Sequence, residues 1–220
     1  MSDKLKRNLI KVSDEIFNFL MKYRDTHPDF TFALRKRDSS ASEEKRLENG
    51  QWFQGSDYIF VPLFKRGDKD RKIKTIGFVI NFDDDGNINR NAIAISFKGG
   101  VFTDPEINFH RELAKAASVE LNESNFGHKD FISSENYIKN LQAFLDNLRP
   151  VALNLLSKYK IADDYIVPID EFEKRVQVVN EIRSGKKIDK KTKSEMPNNN
   201  PYLNPDIIWS SRVLVKLLIQ

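Results

Sequence analysis

The sequence predicts an α+β fold. A curved, mainly antiparallel sheet or partly open barrel should span about residues 30–98, flanked by an N-terminal helix and followed by a helical half. Three observations carry that reading. Apolar residues recur at helical spacing near the N-terminus and again after residue 104, as amphipathic helices require. Between these stretches, short runs rich in aromatic and β-branched residues (FTFAL, DYIFVPLF, KTIGFVINF, AIAISF) alternate with polar loops. The connections between those runs are too short for helical crossovers, so the strands should pair antiparallel as a meander.

The first helix is expected over 4–24, with Leu5, Leu9, Val12, Ile16, Phe19, Leu20 and Tyr23 on its inner side and His27-Pro28 ending it. At Phe30 the period changes to two. Phe30, Phe32 and Leu34 alternate with Thr31, Ala33 and Arg35, the pattern of a half-buried strand with a cationic end at Arg35, Lys36 and Arg37. Residues 39–48 form a polar loop, and Asn49-Gly50 is a turn signal. A strand over 57–64 follows, with Pro62 demanding an edge position or a bulge because it has no N–H for a ladder. A third strand is expected over 73–82, the DDDGN turn over 83–87 and a fourth strand over 93–97. Asp104 and Pro105 read as the cap and first turn of a helix reaching about residue 121. Another, capped at Ser134, should run to Arg149, where Pro150 kinks or divides it from residues 151–159. The last helix is expected over 170–183. This organisation gives one domain over 1–184, a basic and polar linker over 185–205, and an apolar segment over 206–220.

The chain has 220 residues, 40% of them hydrophobic and 31% charged, the balance of a folded soluble domain. No run approaches the roughly 18 apolar residues of a membrane span, and the charged start MSDKLKRNLI does not read as a secretory signal. Without cysteine there are no disulfides, thiolate metal ligands or cysteine nucleophiles. A cytoplasmic location, with no membrane partner, is the expectation. The net charge of +4 is mild, but the cations are clustered. Clustering matters because only charges within a Debye length of about 8–10 Å reinforce one another at a surface. Arg35, Lys36 and Arg37 fall together, as do Lys65, Arg66, Lys69, Arg71, Lys72 and Lys74, and later Arg183, Lys186, Lys187, Lys190, Lys191 and Lys193. Lys-rich loops also serve simply to solvate a surface. Aromatic runs beside cationic loops are nevertheless what a protein needs to hold a polyanion carrying flat bases.

Searches for catalytic patterns give little. Gly185-Lys186 resembles the end of a phosphate-binding loop, yet Asn180 stands where glycine is required and Lys187 where Ser or Thr would hold magnesium. Asn81, Asp83, Asp85 and Gly86 match the start of a calcium loop, but Ala92 occupies the position of the bidentate glutamate, so a hairpin turn is the better reading. His27, His110 and His128 are far apart, and His110 falls on the inner side of its helix. Asp70, Arg71 and Lys72, with Asp57 upstream, form the acid-x-Lys triplet of a metal-dependent nuclease, in a loop polar enough to produce one by chance. There is no Gly-x-Ser-x-Gly nucleophile elbow. No cofactor is implied.

The run RLENGQWFQGSDYIFVPLF, preceded by FTFALRKRD and followed by a basic loop and KTIGFVINF, resembles the N-terminal region that precedes the motor domain of McrB-like restriction proteins. The resemblance covers residues 30–97, and more loosely the helices to Arg183. It implies DNA recognition, in some members with a modified base flipped into a pocket, and partners in the form of a GTPase motor and an McrC-like nuclease subunit. The motor's nucleotide motifs are missing from this sequence. Carried onto these residues, the resemblance makes Trp52 and Phe53, between Gly50 and Gly55, candidates for base stacking, with Tyr58 as a second wall or hydrogen-bonding group. Arg35, Lys36, Arg37, Lys65, Arg66, Lys72 and Lys74 would neutralise phosphates. Against this stands the ordinary role of aromatic residues beside a strand, which is to fill the core.

Three functions therefore remain open. The leading one is a non-catalytic recognition module for double-stranded DNA in a restriction or anti-phage defence system. The alternatives are a protein-interaction adaptor using the helical half and the C-terminal segment over 206–220, and a nuclease built on Asp57, Asp70 and Lys72.

Overall fold

Helix α1 (Asp3–Tyr23) turns the expected face inward, burying Leu5, Leu9, Val12, Ile16, Phe17 and Leu20. Ser2 caps it by accepting the Leu5 N–H at 3.2 Å, and Asp3 lies in the first turn, where a negative charge complements the helix dipole. The computed structural model describes residues 2–35, 47, 50–53, 57–66, 73–97, 101–133 and 136–185 of the chain, with residues 65, 66 and 73–75 followed in backbone only. The acid-x-Lys triplet at Asp70 and Lys72, almost all of the linker and the apolar segment over 206–220 lie outside the described residues.

Residues 30–35 are extended but form no strand, which corrects the sequence reading. All six side chains are buried rather than alternate ones. The Ala33 N–H donates to the Pro62 carbonyl at 3.1 Å, and the Arg35 N–H to the Trp52 carbonyl at 2.8 Å. Pro62 has no N–H to return, so the contact cannot grow into a ladder.

The sheet consists of β1 (Tyr58–Arg66), β2 (Ile73–Phe82), β3 (Ile88–Ser96) and β4 (Phe126–Asp130), in the order β1-β2-β3-β4 with every neighbouring pair antiparallel. It is open, with β1 and β4 at its edges. The register of β1 against β2 slips after Pro62, the irregularity that proline foretold. Strand β3 starts at Ile88, well before the expected residue 93, because pairing with β2 overrides the weak strand preference of Asn89, Arg90 and Asn91. The β2–β3 turn is pinned by Asp83, whose carboxylate accepts the Asn87 N–H at 2.8 Å; that hydrogen bond is the main reason its pKa lies below the usual value. Gly86 holds φ +80°, and a Cβ there would lie 2.8 Å from Leu5 Cα, so the turn presses on the start of α1. The Asn8 amide completes the contact by donating to the Gly86 carbonyl at 2.6 Å.

Helix α2 (Asp104–Ala117) begins one residue earlier than a cap at Asp104 would give: Thr103 is the cap, and the Glu106 carboxylate accepts its N–H at 2.8 Å and its hydroxyl at 2.9 Å. The helix ends at Ser118 in the left-handed region, short of residue 121. His110 is fully buried, stacked on Phe97 at 4.8 Å with Nδ1 2.6 Å from the Glu106 carbonyl oxygen, a core position. Helix α3 (Tyr137–Tyr159) continues through Pro150, so of the two expected effects, a kink or a division, the division does not occur. Pro150 and Asp146 are both exposed residues, so water can take the place of the helical donor that proline lacks. The short α4 (Ala162–Tyr165) and α5 (Ile169–Arg183) complete the described chain. Among the described residues, no helix is long and apolar enough to cross a membrane.

The core lies on one face of the sheet. Ile59, Val61, Ile76, Phe78, Ile80 and Ile95 join α1, α2 and α3 in a single hydrophobic cluster, with Phe78 and Phe144 ring to ring at 6.1 Å.

Candidate nucleic-acid interface

Alternation along a strand sends every second side chain to the opposite face. In this sheet the register aligns those residues in rows: Tyr58 beside Asn81 and Arg90, Phe60 beside Val79, Ala92 and Asp130, and Pro62 beside Gly77, Ala94 and His128. Phe60, Ala92 and Ala94 are buried yet stand outside the hydrophobic cluster of the other face. Together the rows form a trough of about 300 Å³, at the small end of ligand pockets, which run from roughly 300 to 1,000 Å³. Ala92 and Ala94 keep its floor low. Tyr58 and Phe60 stand on the β1 side, and Phe126 and His128, with ring centroids 6.0 Å apart, on the β4 side.

Gly77 makes this shape possible. A Cβ at this position would lie 2.5 Å from Phe60 Cζ and 2.7 Å from the Val61 carbonyl oxygen, so the Phe60 ring crosses the sheet over a bare backbone.

At one end, Arg90 is committed to Asp130: Nε donates to Oδ1 at 2.7 Å, and Nη2 lies 2.6 Å from the same oxygen. The pair cancels its own charge, so this end of the trough is polar without being an anion hole. Between Tyr58 and Arg90, Asn81 lines the trough with its Oδ1 buried and without a hydrogen-bond partner among the described residues. Buried carbonyl oxygens are nearly always paired, which makes this one unusual.

The residues singled out in the sequence separate into four groups. Trp52 and Phe53 are 2% and 3% exposed, so the expectation that they present rings to a base is corrected. Their position is structural. The Trp52 N–H donates to Ser13 Oγ at 3.0 Å and its indole Nε1 to Asp14 Oδ1 at 3.3 Å, fastening residues 50–53 to α1. Its ring packs on Phe17 at 6.4 Å, and Phe53 packs on Phe32 at 6.2 Å. Arg35 is corrected with them: it is 6% exposed, and its Nε donates to the Phe53 carbonyl at 3.1 Å, so it braces the same loop instead of facing solvent.

Tyr58 is half-buried and lines the trough. Lys65, Arg66 and Lys74 are placed by backbone at the far end of the β1–β2 ladder, where Lys65 stands opposite Lys74. Lys36, Arg37 and Lys72 lie outside the described residues. Among the described residues, no group of three or more His, Asp or Glu is arranged to hold a metal ion.

Sequence reasoning missed the β4 contribution entirely, because FGHKD carries a glycine and three charged or polar residues and reads as a loop. Arg90 was overlooked, and Asn81 considered only as part of a turn, for a different reason. They occupy the polar phase of strands whose apolar phase attracted the attention, and extending the alternation from Tyr58 and Phe60 across the neighbouring strands would have found them.

No protein-family model, no curated protein and no solved structure matches this chain. The resemblance to McrB-like proteins therefore rests on the residues quoted for it.

Proposed function

We propose that this chain is a non-catalytic DNA-recognition module that holds its target on the open face of the sheet. The observation that carries the reading is the aromatic-walled trough, with its small floor, on the face opposite the core. A flat ring fits such a slot, and stacking on an aromatic side chain contributes about 1–3 kcal/mol per base, enough to offset the few kcal/mol needed to take one base out of a duplex. Lys65, Arg66 and Lys74 at the ladder end, with Lys36, Arg37 and Lys72 from the adjoining sequence, would contact the flanking phosphates. Such contacts give affinity without sequence preference, while the trough carries the discrimination. By the resemblance noted above, the module would serve a restriction or anti-phage defence system in the cytoplasm, with cleavage supplied by an McrC-like nuclease and movement by a GTPase motor.

A second reading has its own observation. An open groove of about 680 Å³ lies between the end of α1 and α5, lined by Met21, Arg24, Phe172 and Val176 among others. That surface would suit a protein-interaction adaptor.

Fluorescence anisotropy across a salt series, using duplex DNA with and without one extrahelical base and with magnesium present, separates the readings. The module binds intact DNA with an affinity that falls as salt rises, by roughly 0.9 log units per log unit of salt for each phosphate contacted. It should favour the duplex with the extrahelical base. No binding at about 100 mM salt would move the weight to the adaptor, and cleavage of the DNA would revive the nuclease.

A further inference from the structure

Resting on the DNA-binding reading of the same trough, we infer that His128 is its proton-dependent phosphate contact, so that DNA binds there with uptake of a proton by this imidazole. The first ground is position. Phe60, Ala92 and Ala94 at the bottom of the trough are buried, whereas His128, in the row of Pro62, Gly77 and Ala94, is exposed at the β4 rim. A nucleotide whose ring enters the slot leaves its phosphates at the rim, beside that side chain. The second ground is charge. Tyr58, Arg90 and His128 are the ionisable residues lining the trough. Arg90 stands two rows away and is ion-paired with Asp130, and a phenol carries no positive charge in either of its forms. No hydrogen bond or ion pair among the described residues holds the His128 imidazole, which meets Phe126 ring to ring at 6.0 Å. Its charged neighbours leave it free to respond. Asp130, two residues along on the same face, is held across the strand by Arg90, and Lys129 belongs to the opposite phase of β4. Beside it β3 and β2 present Ala94 and Gly77, and the turn before β4 carries Glu120 and Glu123, both exposed to water. A phosphate at this rim therefore meets a cation when the imidazole is protonated. Histidine is the side chain whose charge ordinarily changes between about pH 5 and 8, and a bond from imidazolium to phosphate is stronger than one from the neutral ring. The bound anion favours the protonated form, so binding tightens as pH falls and weakens as it rises.

The probe is a duplex with one extrahelical thymine, a base that gains no proton between about pH 5.5 and 8, the range in which histidine titrates. Anisotropy is measured at fixed salt and across a salt series at each pH. The wild-type protein should bind about three- to tenfold more tightly at the acid end, the gain of one hydrogen bond to a charged group at an exposed site. Its salt slope should steepen there by about 0.9, one further phosphate contact. His128→Gln, which hydrogen-bonds but takes up no proton, should bind as the wild type does at the alkaline end and show neither change. His128→Lys, charged throughout, should bind tightly at both ends with the steeper slope. His27→Gln, outside the trough, should keep the wild-type response. Each protein is checked for fold by circular dichroism at both ends of the range. A wild-type affinity that does not change with pH, a response that persists in folded His128→Gln or disappears in folded His27→Gln, or a folded His128→Lys that binds no more tightly than His128→Gln overturns the inference while leaving DNA binding intact. Failure of the wild-type protein to bind the duplex at any pH overturns both the inference and the reading beneath it.

Discussion

The two faces of this sheet are made from the same strands and put to opposite uses. On one face Ile59, Val61, Ile76, Phe78 and Ile80 interlock with helices. On the other, one residue out of phase, Tyr58, Asn81, Arg90, Ala92 and His128 shape a trough. The aromatic residues divide in the same way. Trp52 and Phe53 are absorbed by the core, whereas Tyr58, Phe126 and His128 line the trough. Aromatic content near a cationic loop therefore does not identify a binding ring; the phase of the strand and the packing around it do.

The largest effect should come from crossing this division on the core side. Trp52→Ala removes a buried ring together with its hydrogen bond to Asp14, and should lower the urea-unfolding free energy by about 3–5 kcal/mol. DNA affinity per folded molecule should be unchanged. If Trp52→Ala instead stays fully stable and loses affinity, the ring works at the interface after all.

Gly77→Ala affects both faces at once. Its new methyl must displace the Phe60 ring or the β1 backbone, costing about 1–3 kcal/mol of stability and narrowing the trough. Weakened binding together with the modest loss in unfolding experiments is the expected result. Phe60→Ala in the same background relieves the ring contact but leaves the Val61 carbonyl oxygen 2.7 Å from the new Cβ, so stability should not return to the wild-type value.

Much of the fold was legible in the residues. The helical period of α1, the boundaries of β2, the DDDGN turn and the edge character forced by Pro62 each follow from local chemistry, and each is present. What was not legible depended on distant partners. Residues 30–35 have the alternation of a strand, but their neighbour Pro62 offers no N–H, and packing buries both of their faces. Strand β4 has no strand composition of its own and exists because β3 presents an edge to pair with. The candidate site was only partly readable for the same reason. Tyr58 could be named from its position on a strong strand, while Asn81, Arg90 and His128 join it only through the register of all four strands.

A smaller effect is expected at the ladder end. Lys65→Gln and Lys74→Gln each remove a cation there and should leave the thermal midpoint nearly unchanged. Each should weaken binding to every DNA similarly and flatten the salt slope by about 0.9. A change in preference among bases, measured by anisotropy, would mean that these lysines read the target and do not merely hold it.

The decisive measurement is an NMR titration of the isotope-labelled protein with a duplex carrying one extrahelical cytosine, following backbone amides. If the open face of the sheet is the interface, the largest shifts fall on Tyr58, Asn81, Arg90, Ser96 and His128, and the groove between α1 and α5 stays silent. Shifts confined to that groove or to the helices, with the sheet unmoved, would show that the trough does not hold DNA.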